Sequence, residues 1–221
     1  KIGELKSQGV TIIFVSHDLE AVRSLCDRAI WLEDGVIRME GPTIEVVAAY
    51  LDSVRSEELK RLQASRQAMG GEKRWGSMHA EILGVRFYDH LGRERAVFVT
   101  SETFIARITY YAHDRIEKPM FGVAIYNDKG VHINGPNTVF SDYPIPWIEG
   151  RGTVDYIIES LPLLEGMYFV TTAIYDHTGA HPFDHHQLKY VFRVQTGQVK
   201  ERHGIFYIPS RWDWRPEIPV D

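Results

Sequence analysis

Three stretches of this 221-residue chain repeat one frame, Tyr, then Asp or Asn, then Gly three residues later: Tyr88-Asp89-His90-Leu91-Gly92, Tyr126-Asn127-Asp128-Lys129-Gly130 and Tyr175-Asp176-His177-Thr178-Gly179. An Asx side chain accepts backbone N–H groups just ahead of it, and glycine supplies the left-handed residue that closes a type I turn. Each frame therefore predicts a hairpin turn at the end of a strand. Around these turns apolar and polar residues alternate, as in Phe104, Ala106, Ile108 and Tyr110 against Arg107, Thr109 and Tyr111. A period of two puts one face on a core and the other in water. Strands are predicted over 81–89, 97–112, 121–127, 131–134, 152–159, 167–176, 189–196 and 204–208. Hairpins at this density predict a mainly β fold, an antiparallel β-sandwich. The turn aspartates have the chemistry of calcium ligands too, but turn formation accounts for them more simply.

The first 70 residues have a different pattern. The segment 1–8 reads as the end of a helix closed by Gly9. The apolar, β-branched run 10–16 reads as a strand buried on both faces, as in a parallel sheet. Asp18 then opens a helix, and Asp34-Gly35 marks a hairpin between strands at 28–33 and 36–39. Thr43 is the expected N-cap of a second helix, with Ile44, Val47, Leu51 and Val54 as its apolar stripe. From 56 the helix formers turn charged, which predicts a helical spacer ending at Gly70-Gly71. The expected divisions are 1–55, a helical and flexible linker 56–74, and the sandwich 75–221.

Composition narrows the partners. With 25 Lys+Arg against 30 Asp+Glu, the chain carries a net charge of −5, unsuited to tracking nucleic-acid phosphates. Its one cysteine, Cys26, cannot form an intramolecular disulfide, as expected in a reducing compartment. No apolar run approaches the roughly 20 residues that span a bilayer, and the first residues lack a signal-peptide core. A cytoplasmic location is expected.

The run Val10-Thr11-Ile12-Ile13-Phe14-Val15-Ser16-His17-Asp18 resembles the switch-histidine segment of ABC-transporter ATP-binding subunits. The stretches Arg28-Ala29-Ile30-Trp31-Leu32-Glu33-Asp34-Gly35-Val36-Ile37 and 41–51 resemble that family's late strands and closing helix. The resemblance implies that His17 faces the γ-phosphate of ATP and that Asp18 lies at a subunit contact. An imidazole there stabilises charge that shifts during hydrolysis. Yet the chain has no G-x-x-x-x-G-K-[ST] loop, no signature sequence before His17, and no strand ending in Asp-Glu to hold magnesium. ATP and Mg²⁺ are thus expected only with the rest of such a domain; the chain alone is expected to bind neither and not to hydrolyse ATP.

A sandwich behind such a tail resembles the Wzt type of ATP-binding subunit, from bacterial O-antigen and related polysaccharide exporters. The residues carrying this are 121–130, Gly135-Pro136-Asn137-Thr138, Leu161-Pro162-Leu163-Leu164-Glu165-Gly166-Met167-Tyr168 and Ala173-Ile174-Tyr175-Asp176. It implies an immunoglobulin-like carbohydrate-binding sandwich behind a short α/β remnant of an ABC ATPase domain, a membrane-spanning permease partner, a homodimer, and a place on the cytoplasmic face of the inner membrane. Sugars are bound by aromatic faces and planar polar groups. The residues here with that chemistry, and hard to bury by pattern, are Arg107, Tyr111, His132, Asn134, Asn137, Tyr143 and Trp147, the last two in a proline-rich loop. His177, His181, His185 and His186 match no zinc spacing and read as a solvated loop; no metal is expected. Trp212 and Trp214 are expected to pack on their own domain or a partner. Deleting 206–221 is expected to give a monomer in light scattering, and an unchanged dimer would refute that role. Two alternatives stay open: a dimerisation sandwich without ligand, and a glycan-acting enzyme, for which no paired-carboxylate pattern stands out.

Overall fold

The chain divides into two units, Lys1–Gln63 and Ala64–Asp221, and the computed structural model describes residues 11–214 of them. The expected helix over 1–8 lies outside the described residues.

In the first unit, helix α1 (Leu19–Leu25) starts where expected. Asp18 caps it, its Oδ1 accepting from the backbone N–H of Glu20 and Ala21. Strands β1 (Arg28–Glu33) and β2 (Val36–Pro42) form an antiparallel hairpin. Asp34 and Gly35 both take positive φ, 49° and 77°, as a type I′ turn requires. Helix α2 (Thr43–Ala68) follows without a break, so the closing helix and the helical spacer are one element. Thr43 does not cap it. It is the first helical residue, and its hydroxyl donates to the Cys26 carbonyl at 2.8 Å. Val46 and Val47 are buried, and Trp31 meets Tyr50 edge to face at 5.5 Å. The expected strand over 10–16 is corrected: residues 11–16 form no strand and are exposed, Val15 at 92%. A buried parallel strand needs sheet neighbours, and the described residues offer it none.

The second unit is the sandwich. Its strands are β3 (Lys73–Trp75), β4 (Ala80–Tyr88), β5 (Val97–Val99), β6 (Phe104–Glu117), β7 (Met120–Asn127), β8 (His132–Asn134), β9 (Trp147–Ile158), β10 (Gly166–Tyr175) and β11 (Pro182–Gln195). A six-stranded sheet runs β3-β11-β10-β7-β8, with β5 also on β11, and a three-stranded sheet runs β4-β6-β9. All pairs are antiparallel except β5 with β11. The sheets meet over aromatic residues. Phe104 lies 4.5 Å from Phe192, 4.9 Å from Phe98 and 5.3 Å from Phe87 by ring centroids. Such contacts add to the area they bury.

The three Tyr-Asx turns form with one shared geometry. Asp89, Asn127 and Asp176 each accept, through Oδ1, the N–H groups two and four residues ahead. Gly92, Gly130 and Gly179 take φ of 72°, 81° and 73° and donate back to the Asx carbonyl. Backbone donors thus engage each Asx Oδ1, while the Oδ2 atoms of Asp89 and Asp176 meet Arg93 and His181.

Several expected boundaries change. The strand over 97–112 is two strands on different sheets. At the crossing Ser101 is left-handed (φ 72°) and buried Thr100 donates to the Leu163 carbonyl at 2.7 Å. Strand β11 begins at Pro182, not 189, so the expected histidine loop is largely a strand, with left-handed Leu188 at its irregularity. Segment 204–208 is no strand; Phe206 makes a single bridge to Leu163. Trp147 starts β9 instead of sitting in a loop, and β3 takes in Lys73 and Arg74, residues expected to be linker.

Candidate functional site

The seven expected sugar-binding residues do not form one patch. Three of them, Arg107, Tyr111 and Trp147, lie on the outer face of the three-stranded sheet. Inward residues of β6 are Phe104, Ala106, Ile108 and Tyr110, all buried in the core, so Arg107, Thr109 and Tyr111 project outward. Register then fixes their neighbours. Arg107 is flanked by Arg86 and Asp155, Thr109 by Gly84 and Thr153, and Tyr111 by Glu81 and Arg151.

The charges on this face are held in place. Arg107 grips Asp155 through two hydrogen bonds, 2.8 and 2.6 Å, while its guanidinium lies 4.8 Å from the Tyr88 ring centroid. That partner raises the Arg107 pKa above its ordinary value. His113, and then Arg74, hold Glu81 below the usual carboxylate range. Arg86 donates to Glu94 at 2.9 Å. A fork-shaped pair such as Arg107–Asp155 is pre-oriented to meet vicinal hydroxyls.

The rings are open. Tyr111 is 41% exposed and touches His113 edge on at 5.1 Å. Trp147 is 45% exposed, with the Arg115 guanidinium 4.4 Å from its ring centroid. From Ile157 to Trp147 the strand β9 edge of the face runs ~33 Å at about 3.3 Å per residue, room for several sugars. Its outward residues include the hydroxyls Thr109 and Thr153, the cation Arg151 and the rings Tyr111 and Trp147, a mixture that suits a polar ring compound with apolar faces.

The other four expected residues sit elsewhere. His132 stacks on Tyr126 at 4.7 Å, and its Nε2 lies 3.1 Å from the Asn134 carbonyl oxygen. The Asn134 amide donates to the Tyr156 hydroxyl at 2.7 Å. That bond lies at an apolar cleft of about 150 Å³ lined also by Ile125, Ile133, Leu163 and Phe206. The cleft is smaller than the ~300 Å³ at which ligand pockets usually begin. Asn137 lies beside Gly122, its Oδ1 accepting the Phe140 N–H. Tyr143 is exposed in the loop before β9 and adjoins left-handed Asp142.

The histidines also need correction. His186 is 1% exposed, its Nδ1 2.7 Å from the Tyr190 hydroxyl and its Nε2 3.3 Å from Asp184 Oδ2 in a poorly aligned contact. His185 stacks on Trp75 at 3.9 Å. His181 is solvated and lies 2.9 Å from Asp176 through Nδ1. Sequence reasoning missed Asp184 entirely. This carboxylate is wholly buried and accepts two bonds from Arg74 and one from the Ile82 N–H. It ties β11 and β3 to β4 in the opposite sheet. An Asp in a His-rich stretch gives no sequence signal for that role.

Comparison with known proteins agrees with this architecture. Residues 71–208 match the Wzt C-terminal domain family. The O-antigen export system ATP-binding protein RfbB of Myxococcus xanthus is 25% identical over 222 residues, covering 96% of this chain and 49% of that protein. The teichoic acids export ATP-binding protein TagH of Listeria monocytogenes is 51% identical over 55 residues, 25% of this chain and 16% of that protein. The chain therefore spans about half the length, or less, of these relatives. A crystal structure of the C-terminal domain of Wzt superposes with a TM-score of 0.56 at 14% identity, covering 65% of this chain and 89% of that one. That likeness is one of fold.

Proposed function

This chain belongs to the Wzt C-terminal domain family, and from that membership we propose that its sandwich recognises a bacterial surface polysaccharide of the O-antigen kind for an ABC exporter. The observation that carries the reading is the open face of the three-stranded sheet. There Tyr111 and Trp147 offer ring faces, and the Arg107–Asp155 pair offers fixed donors and acceptors beside Thr109 and Thr153. Recognition is non-covalent: pyranose C–H faces stack on the rings and hydroxyls bond to the polar row, with most of the energy at the aromatics.

In this reading the glycan-loaded domain couples to a membrane-spanning permease on the cytoplasmic face of the inner membrane. No described helix is long and apolar enough to cross a membrane. A homodimer belongs to the same proposal, supported by the exposure of Trp212 and Trp214, 101% and 84%. Nucleotide chemistry does not fit the described residues. His17 presents an exposed imidazole, the neighbouring Asp18 carboxylate is engaged in capping α1, and no phosphate-cradling loop accompanies them. ATP and Mg²⁺ would need that loop from elsewhere, with His17 at the γ-phosphate.

Calorimetric titration with surface polysaccharide extracted from the source bacterium tests the reading. Binding is expected, with Tyr111→Ala and Trp147→Ala each weakening it about tenfold, near 1.4 kcal/mol per stacking ring. No binding by the wild-type chain would overturn it.

A further inference from the structure

The outer face of the six-stranded sheet carries a feature that the proposed function leaves unused. One register row crosses it. Trp75 lies opposite His185, His185 opposite Ala173, Ala173 opposite Gly122, and Gly122 opposite Asn137. The core takes the adjoining Ile174 and Phe121, so these five positions project outward. With neighbouring strands about 4.8 Å apart, the row measures ~19 Å.

Its profile is a trough. At one end the Trp75 ring stacks on His185, with centroids 3.9 Å apart and planes 16° apart, and stays 39% exposed. The Tyr175 hydroxyl lies 3.1 Å from His185 Nδ1 and fixes that imidazole. Gly122, partly exposed, and Ala173, covered to 5% exposure by its neighbours, form a low floor. At the far end Asn137 spends its Oδ1 on the Phe140 N–H, and its amide hydrogens have no protein partner among the described residues. The row bears no formal charge at neutral pH, since burial, helped by neighbouring His186, lowers the His185 pKa.

Gly122 is the position the fold does not explain. Its φ is not in the left-handed region, and the β7–β10 ladder runs through it without a bulge. An added Cβ would make only ordinary contacts, at 3.8 Å from Asn137 Cβ and 3.9 Å from the Pro136 oxygen. Glycine inside a strand weakens it, and marks a bulge, a bend or the close approach of another group. With no bulge or crowding here, close approach of a ligand remains. The other half of this face is already covered: Arg66 sits 5.6 Å over the Phe169 ring, and Met69 lies against the turn at Gly130.

We propose that this trough is a second saccharide-binding surface, which takes a neutral stretch of glycan across the strands with one pyranose face on Trp75 and a hydroxyl on the Asn137 amide. The inference rests on the reading that this domain binds glycan, and adds a contact on the opposite sheet. Two modest contacts on one polymer multiply through effective concentration.

The test uses this chain and a size-fractionated neutral surface polysaccharide from the source bacterium, followed by calorimetry. Gly122→Val fills the floor with a residue that strands favour. Its melting temperature is expected to match or exceed wild type while affinity falls at least fivefold. Trp75→Ala, the second variant, removes the ring from a half-exposed edge position and is expected to lose as much. Wild-type affinity in both variants overturns the trough, and if Tyr111→Ala still weakens binding the proposed function survives that loss. Absence of binding by the wild-type chain overturns both.

Discussion

Asp184 shows how one buried carboxylate can be a structural joint. Burial alone would raise its pKa, but neighbouring His186 together with hydrogen bonds from Arg74 and the Ile82 N–H outweigh burial and hold it well below the carboxylate range. Because its folded pKa lies below the unfolded value of about 4, its contribution is complete above that pH. It is lost as pH falls through the folded pKa. Asp184→Asn should lower stability at pH 7 by about 3 kcal/mol, since it removes the buried charge that Arg74 grips, leaving Arg74 only its pair with Glu81, and weakens a bond between the sheets. Arg74 is partly solvated, its side chain 40% exposed, which places the loss at the lower end for a broken buried pair. Urea denaturation should show the gap at pH 7 and a shrinking gap below pH ~4. A constant gap down to acid pH would contradict this account. At Tyr168 the same effect of burial prevails: its hydroxyl, donating to the Leu164 carbonyl at 2.7 Å, is pushed up to about 12.

At the scale of elements, the hairpin turns were legible because their chemistry is local. An Asx oxygen and a glycine three residues on suffice, and all three turns formed. The same logic gives a prediction. Asn127 is buried and its Oδ1 accepts from Lys129 and Val131. Asn127→Ala leaves both N–H groups unmet and should cost about 2 kcal/mol in a thermal or urea melt. Asn127→Asp restores the acceptor used by the other two frames and should stay within about 0.5 kcal/mol of wild type. Equal losses in both variants would show that the turn does not depend on this oxygen. Boundaries set by distant partners were not legible. The residues 97–112 are continuous strand formers, and their break depends on Thr100 reaching Leu163, 63 residues away. The start of β11 reads as a polar histidine stretch, yet it pairs with Trp75 across 110 residues. For the same reason alternation revealed Arg107 and Tyr111, whereas Trp75 on a three-residue strand stayed hidden.

At the scale of the whole molecule, the chain joins a unit with much exposed apolar surface to a sandwich with a closed core. In the first unit Ile13, Ile30, Leu32, Val36 and Ile37 are all exposed. The sandwich buries a cluster of phenylalanines between two sheets and presents different chemistry on their outer faces: open rings and clamped ion pairs on one, a neutral aromatic trough on the other. That division makes the proposed function a statement about place as well as affinity. The most direct measurement is a map of amide and aromatic chemical shifts as extracted surface polysaccharide is added to the labelled chain. The largest changes are expected at Tyr111, Trp147, Thr109 and Thr153. A spectrum that does not move, or moves only at the hairpin turns, would contradict the claim that this sheet reads sugar.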